Sequence, residues 1–354
     1  MVDLLVGTTK GLFVLHDEGG RSGWRLEGPL CDGSPVNHAI GCAKTGRIWA
    51  AGGGGWNPAG VWRREDGAWS FSQEGFDPAV QSVWSLAQDG ARLLAGTKPA
   101  MLFASSDGGA TWDKLPALTD QPGAEDWMPG AAGLTLHTIL VAPDGRIWVG
   151  ISAAGVFHST DGGASWQGRM RRSNRPGPAG ELAEKAPPEY APPKGEIFSC
   201  VHNMAFGADE GLIYMQNHQG VYRTRDGGTV WEEITEGLPS TFGFPVAAHP
   251  AKAGTVWTFP LNGDSAGRFP KDARAAVWRS QDGGETWEAN GEGLPAKDCF
   301  FTVLRQAMTN DLETPAGVYF GTNSGSVFAS RDEGETWAEV ARHLPTVLCV
   351  EAMR

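Results

Sequence analysis

The stretch SSDGGATW, Ser105 to Trp112, returns with small changes as STDGGASW, TRDGGTVW, SQDGGETW and SRDEGETW. Its five aspartates are Asp107, Asp161, Asp226, Asp282 and Asp332, and intervals of roughly 50 to 65 residues mark a repeat architecture. The chemistry of each copy is that of a tight hairpin. A carboxylate at the head of a turn accepts backbone N–H groups of its own loop, and the glycines supply positive φ without a steric penalty. The tryptophan then anchors the turn on apolar surface. These five aspartates are therefore read as structural.

Around the turns the chain repeats an order: apolar strand, turn, second strand, short loop, third strand, Asp turn, Trp-bearing fourth strand. The clearest unit runs from Leu136 to Gly168, and others begin near Asn37, Gln81, Val201, Gly243 and Cys299. A seventh is divided between the ends. TVLCVEAM (Thr346 to Met353) has the pattern of a first strand without followers. LLVGTTKGLFVL (Leu4 to Leu15) reads as a second and third strand without a first, with HDEGGRSGW as a worn Asp turn. Joining them closes a ring and leaves no exposed sheet edge there. The expectation is an all-β fold, a seven-bladed β-propeller of four-stranded blades, forming one domain over residues 1–354.

Composition agrees. The 354 residues include 50 glycines and 15 tryptophans, and the formal charge is -12. An acidic chain lacks the basic stripe of a nucleic-acid surface, so no DNA or RNA partner is expected. No run approaches the apolar length of a membrane span, and the first residues lack a cationic region followed by an apolar one. The five cysteines are scattered without CxxC pairing. Together these features predict a cytoplasmic protein with reduced thiols and no membrane partner.

The pattern S/T-x-D-x-G-x-T-W resembles the Asp-box (BNR) repeat of sialidases, xyloglucanases, sortilin-type receptors and photosystem II assembly propellers, and the resemblance covers nearly the whole chain. It is most similar to bacterial single-propeller Asp-box proteins. Sialidases add an arginine triad, a Tyr/Glu nucleophile pair and a Phe-Arg-Ile-Pro motif. The nearest string here is GRFP, Gly267 to Pro270, late and differently ordered. The resemblance therefore implies the fold without the sialidase chemistry. Asp-box xyloglucanases resemble two facing propellers with a carboxylate from each, and this chain has one.

In such a propeller the Asp turns gather on one face. The starts of the first strands and the second-to-third loops gather on the other, at the channel mouth, where a ligand site is expected. Counted back from the aromatic residues Trp49, Trp148 and Tyr214, His38, His137 and His202 occupy corresponding positions on innermost strands, and His218 lies in the loop QNHQG on the same face. Converging imidazoles suit a divalent transition metal such as zinc, manganese or iron, or proton transfer. His38, His137 and His202 are the expected metal ligands, with His218 and Lys98 as catalytic groups. Asn217, Trp56, Asn57, Trp127 and Tyr190 are expected to bind substrate. Two long connections, 117–133 and 169–196, are expected to cover the mouth, because loops of that length act as lids or stay disordered.

The resulting expectation is a metal-assisted hydrolase or lyase acting on a small polar or carbohydrate-derived substrate. The alternatives are a non-catalytic scaffold that holds a partner protein on the mouth face, and an exo-glycosidase.

Overall fold

The computed structural model describes residues 2–130, 133–175, 177–186 and 191–353. Seven four-stranded antiparallel sheets form a ring. Their inner strands are Val347–Ala352, Val36–Cys42, Ser82–Asp89, Thr135–Val141, Val201–Phe206, Gly243–Ala248 and Met308–Asn310, and we number the blades one to seven in that order. In blade one the C-terminal strand pairs with Asp3–Thr8, placing Val350 opposite Val6 and Ala352 opposite Leu4. This is the closure predicted from the split repeat.

The Asp turns follow one plan. Asp107 Oδ1 accepts the N–H groups of Ala110 and Thr111, Oδ2 accepts the Thr111 hydroxyl, and Ser105 Oγ accepts the N–H of Gly109. Gly108 and Gly109 have φ of 72° and 88°, a region open to glycine at little cost. The worn first turn keeps the principle: Asp17 Oδ1 accepts the N–H groups of Gly19 and Arg21. In the turns of Asp107 and Asp161 these bonds hold the carboxylate below its ordinary value. The Ser165 hydroxyl, aided by the Ser165 N–H and the Ser159 hydroxyl, brings Asp161 down to about 2.

Tryptophans join three of the turns to the neighbouring blade, and Arg92 and Arg223 reach the corresponding carbonyls of Gly162 and Gly283. On second strands, Trp49, Trp148 and Trp257 donate indole N–H groups to Gly108, Gly227 and Glu333, each in the Asp turn of the following blade. A buried indole needs such an acceptor, so the bond fixes blade spacing while the ring fills the inter-blade core.

Blade seven departs from the expected unit. Its inner strand begins at Met308, whereas the repeat pattern placed the start near Cys299. The intervening segment reaches across the ring axis instead. Gln306 Nε2 donates to His137 O at 2.7 Å in blade four, and Asn203 Nδ2 of blade five donates to Arg305 O at 2.8 Å. Below this crossing lies a cavity of about 390 Å³, lined by His38, Thr138, Asn203, Gln306, Asn310 and Glu351 among others.

The long connections also differ from expectation. The described part of 169–196 follows the outer edge of blade five. Arg172 bridges Trp231 there, and the helix Pro178–Lys185 is held where Ala179 and Gly180 donate N–H groups to Glu233. A carboxylate at a helix N-terminus satisfies donors that the helix itself leaves free. This described part is not a lid. Connection 117–133 does reach the mouth, as shown below.

Candidate functional site at the channel mouth

Irregularities at the entrances of the inner strands arrange the mouth. The pairing register skips Asn37, Trp84, His137 and His202 in blades two to five. A bulge leaves one residue unpaired and re-aims its side chain. His137 and His202 are thus equivalent, but the residue of blade two that matches them is Asn37.

His38 falls one step further along the strand and does not join the other two. Its Nδ1 accepts the N–H of Leu86 at 3.0 Å, and the ring lines the cavity below the crossing. Burial brings it down to about 4. The match in sequence spacing arose because the turn after the inner strand differs in length: Ile40 pairs with Trp49, and Leu140 with Trp148.

The other imidazoles meet above. His202 is 1% exposed and its Nδ1 lies 2.6 Å from Gly243 O. His218 stands edge-on to it with ring centroids 5.3 Å apart, and His218 Nε2 lies 3.4 Å from Asp264 Oδ2. Cys200 Sγ lies 2.9 Å from Ser152 Oγ. One donor atom from each of Cys200, His202 and His218 falls within 4.8 Å of the others. His137 is fully buried against Trp84, and neither ring nitrogen has a hydrogen-bond partner.

Arg305 gives the site its charge. Among the described residues no carboxylate lies within 4 Å of its guanidinium, whose carbon stands 4.5 Å from the centre of the Phe244 ring. Burial brings Arg305 down to about 10, still well above neutrality. Its field reaches the imidazoles. Burial first, then Arg305, holds His137 and His202 well below the usual histidine value. Burial also lowers His218, with Asp264 opposing and Arg305 and Arg268 assisting. Burial raises the Cys200 thiol.

Several expected contacts have other duties. Asn217 is fully buried; its Nδ2 donates to Phe198 O and its Oδ1 accepts the Gln219 N–H, so its amide is committed to the chain. Trp127 packs on Phe157 with centroids 5.1 Å apart and pins connection 117–133 to blade four. Asn57 donates to Gly54 O inside its hairpin, while Trp56 at the tip is fully exposed. Lys98 remains at the mouth, and its charge is felt at His137. Tyr190 lies outside the described residues.

Sequence reasoning missed Cys200 and Arg305. The former had a signal in the spacing Cys200-x-His202 on a strand entrance, while the latter stands in a segment without a repeat counterpart.

A ring of seven such sheets stitched by five Asp turns defines an Asp-box β-propeller. A model of the BNR/Asp-box repeat matches residues 278–289, the turn of blade six.

The chain is 26% identical over 215 residues to a probable oligoxyloglucan-reducing end-specific xyloglucanase of Neosartorya fischeri, a match covering 55% of this chain and 25% of that protein. A GH74 xyloglucanase from Xanthomonas campestris aligns over 96% of this chain and 52% of its own, with a TM-score of 0.65 and 18% identity. The structure of YCF48 bound to D1 peptide aligns over 87% of this chain and 81% of its own, with a TM-score of 0.57 and 15% identity. The chain thus spans a quarter to about half of the two xyloglucanases. The structural likenesses are likenesses of fold.

Proposed function

We propose that the mouth binds a small anionic, carbohydrate-derived substrate and acts on it by hydrolysis or elimination. The observation that carries this reading is Arg305, a guanidinium without a carboxylate partner among the described residues, beside three imidazoles and a thiol. A desolvated cation with no direct ion pair is costly; Asp264 acts on Arg305 only from a distance, and an anionic ligand supplies the direct partner with bidentate geometry. Neutral imidazoles next to it can take a proton or bind a metal. The match to a xyloglucan-acting relative supports a sugar-derived substrate. An exo-glycosidase acting through two carboxylates would need a pair across the cleft, and the carboxylate that the described residues bring to these imidazoles is Asp264.

The test is calorimetric titration with uronates and aldonates against their neutral sugars. The expected result is saturable binding of the acids alone, weakened roughly tenfold or more in Arg305→Met, as loss of a buried charged contact implies. Equal binding of acids and neutral sugars, or none of either, overturns the reading.

A protein-holding scaffold is the second reading. It is favoured by the likeness to YCF48 over most of this chain and by the exposed side chains Trp56, Met128 and Phe300. It predicts no acid binding and a partner protein whose retention is lost in Trp56→Ser.

A further inference from the structure

We propose that Cys200, His202 and His218 form a transition-metal site of one thiolate and two imidazoles, with a coordination position left for water or substrate. The proposal rests on the reading of the mouth as a ligand site and deepens it by naming the cofactor and its ligands.

Three observations carry it. The donor atoms lie within 4.8 Å of one another. Ligands at about 2.0–2.3 Å in tetrahedral array stand roughly 3.5 Å apart, so closure requires a movement of the order of an ångström, within reach of side-chain rotation. The local backbone also holds the trio in place, since the His218 N–H donates to Cys200 O at 2.9 Å and ties the loop to the strand entrance.

The third observation is that every donor has an outer partner. His202 Nδ1 is directed at Gly243 O, which leaves Nε2 for a metal. His218 Nε2 faces Asp264, which leaves Nδ1. Cys200 Sγ meets Ser152 Oγ. Metal-bound histidines characteristically give their second nitrogen to a carbonyl or carboxylate in this way, which sets ring orientation. A pair of core imidazoles packed only for volume has no need of both.

Charge and softness narrow the metal. The thiolate carries part of the charge of a divalent ion, Asp264 is ion-paired with Arg268, and Arg305 makes no ion pair with a carboxylate among the described residues, so it stays available for the substrate's anionic group. Sulfur with two imidazoles selects zinc, cobalt or copper over magnesium, calcium or manganese. Manganese therefore leaves the expected set, and so do His38 and His137 as ligands. The metal would polarise a substrate oxygen or lower the pKa of a bound water.

The test uses untagged full-length protein stripped with chelator and then loaded with Zn(II) or Co(II). The expected result is about one equivalent bound per chain, and with Co(II) a thiolate-to-metal charge-transfer band. Cys200→Ser should abolish that band. His218→Gln, at a partly exposed position, should weaken binding roughly tenfold or more with the melting temperature retained. His38→Asn should leave both unchanged. No metal bound by the parent, or a band that persists in Cys200→Ser, overturns the proposal. Acid binding measured in the stripped protein judges the Arg305 reading separately, because a metal-free mouth that still binds uronate removes only the metal.

Discussion

Gln306 of blade seven donates its side-chain N–H to the backbone carbonyl of His137, 2.7 Å away in blade four. The two blades stand three places apart in a ring of seven, so this bond spans the axis. It joins the only bulge carbonyl seen to receive such a cross-ring donor among the described residues, and it sets the floor on which Arg305 stands.

Removing that donor while keeping its length should loosen the floor. Gln306→Met leaves the His137 carbonyl unpaired at a cost of about 1–2 kcal/mol. Urea unfolding should show the loss, and hydrogen exchange should rise in Thr135–Val141. Unchanged stability and exchange would show that water replaces the bond freely.

The fifth blade offers a gain. Four Asp turns place a hydroxyl four residues after the aspartate, at Thr111, Ser165, Thr286 and Thr336, each bonded to Oδ2. In blade five that position is Val230, whose N–H alone reaches Asp226 Oδ1. Val230→Thr is nearly isosteric and supplies the missing donor. A stabilisation of about 0.5–1.5 kcal/mol is expected, read as a raised melting temperature, with Thr286→Val lowering it by a similar amount.

Acid sensitivity should appear in two windows. His38 has a folded value near 4 against an ordinary 6.5, so the unfolded chain binds more protons between those values. Stability from this group is complete above 6.5 and declines as pH falls towards 4. His38→Asn keeps an acceptor for the Leu86 N–H and removes the titration, so the slope of stability against pH there should fall by up to about one proton. The second window belongs to the Asp turns. Asp161, near 2 when folded against 3.8 ordinarily, contributes stability that is present above 3.8 and lost as pH falls through 2. A His38→Asn variant with the parent's slope would remove His38 from the account.

The ring was legible because its signals repeat. Five Asp turns, four with two glycines and the fifth with Glu333 and Gly334, each followed by a tryptophan, fix a hairpin by local chemistry, and apolar strands divided between Leu4 and Met353 show where the ends meet. The site was harder to read because it depends on departures from the repeat. The turn after the inner strand differs by one residue between blades two and four, since Ile40 pairs with Trp49 and Leu140 with Trp148, and that difference set His38 beside His137 on paper and one step further along the strand in space. Arg305 and Gln306 stand where a repeat unit appeared to begin. Connection 169–196 gave no sign that Glu233 would hold its helix at the outer edge of blade five. His202 and His218 were legible because both come from one blade, where the distance between strand entrance and loop is set by a single hairpin.

The mouth is also shaped by what it lacks at Gly130. Connection 117–133 turns there, and a Cβ on Gly130 would stand 2.8 Å from Ser152 Oγ and 3.8 Å from Cys200 Sγ. Its φ lies outside the left-handed region, unlike the 88° of Gly133, so an alanine brings crowding without backbone strain. The atom that must yield is a hydroxyl on a rotatable bond, which can swing to another rotamer at little cost. That swing breaks the contact with Cys200. Gly130→Ala should therefore leave the melting temperature within a few degrees of the parent while weakening Co(II) binding roughly tenfold, the scale of an outer-partner loss. Equal metal affinity in the two proteins would show that Ser152 does not orient the thiol. A large fall in stability would show instead that the Gly130 turn is held by packing tighter than the hydroxyl alone.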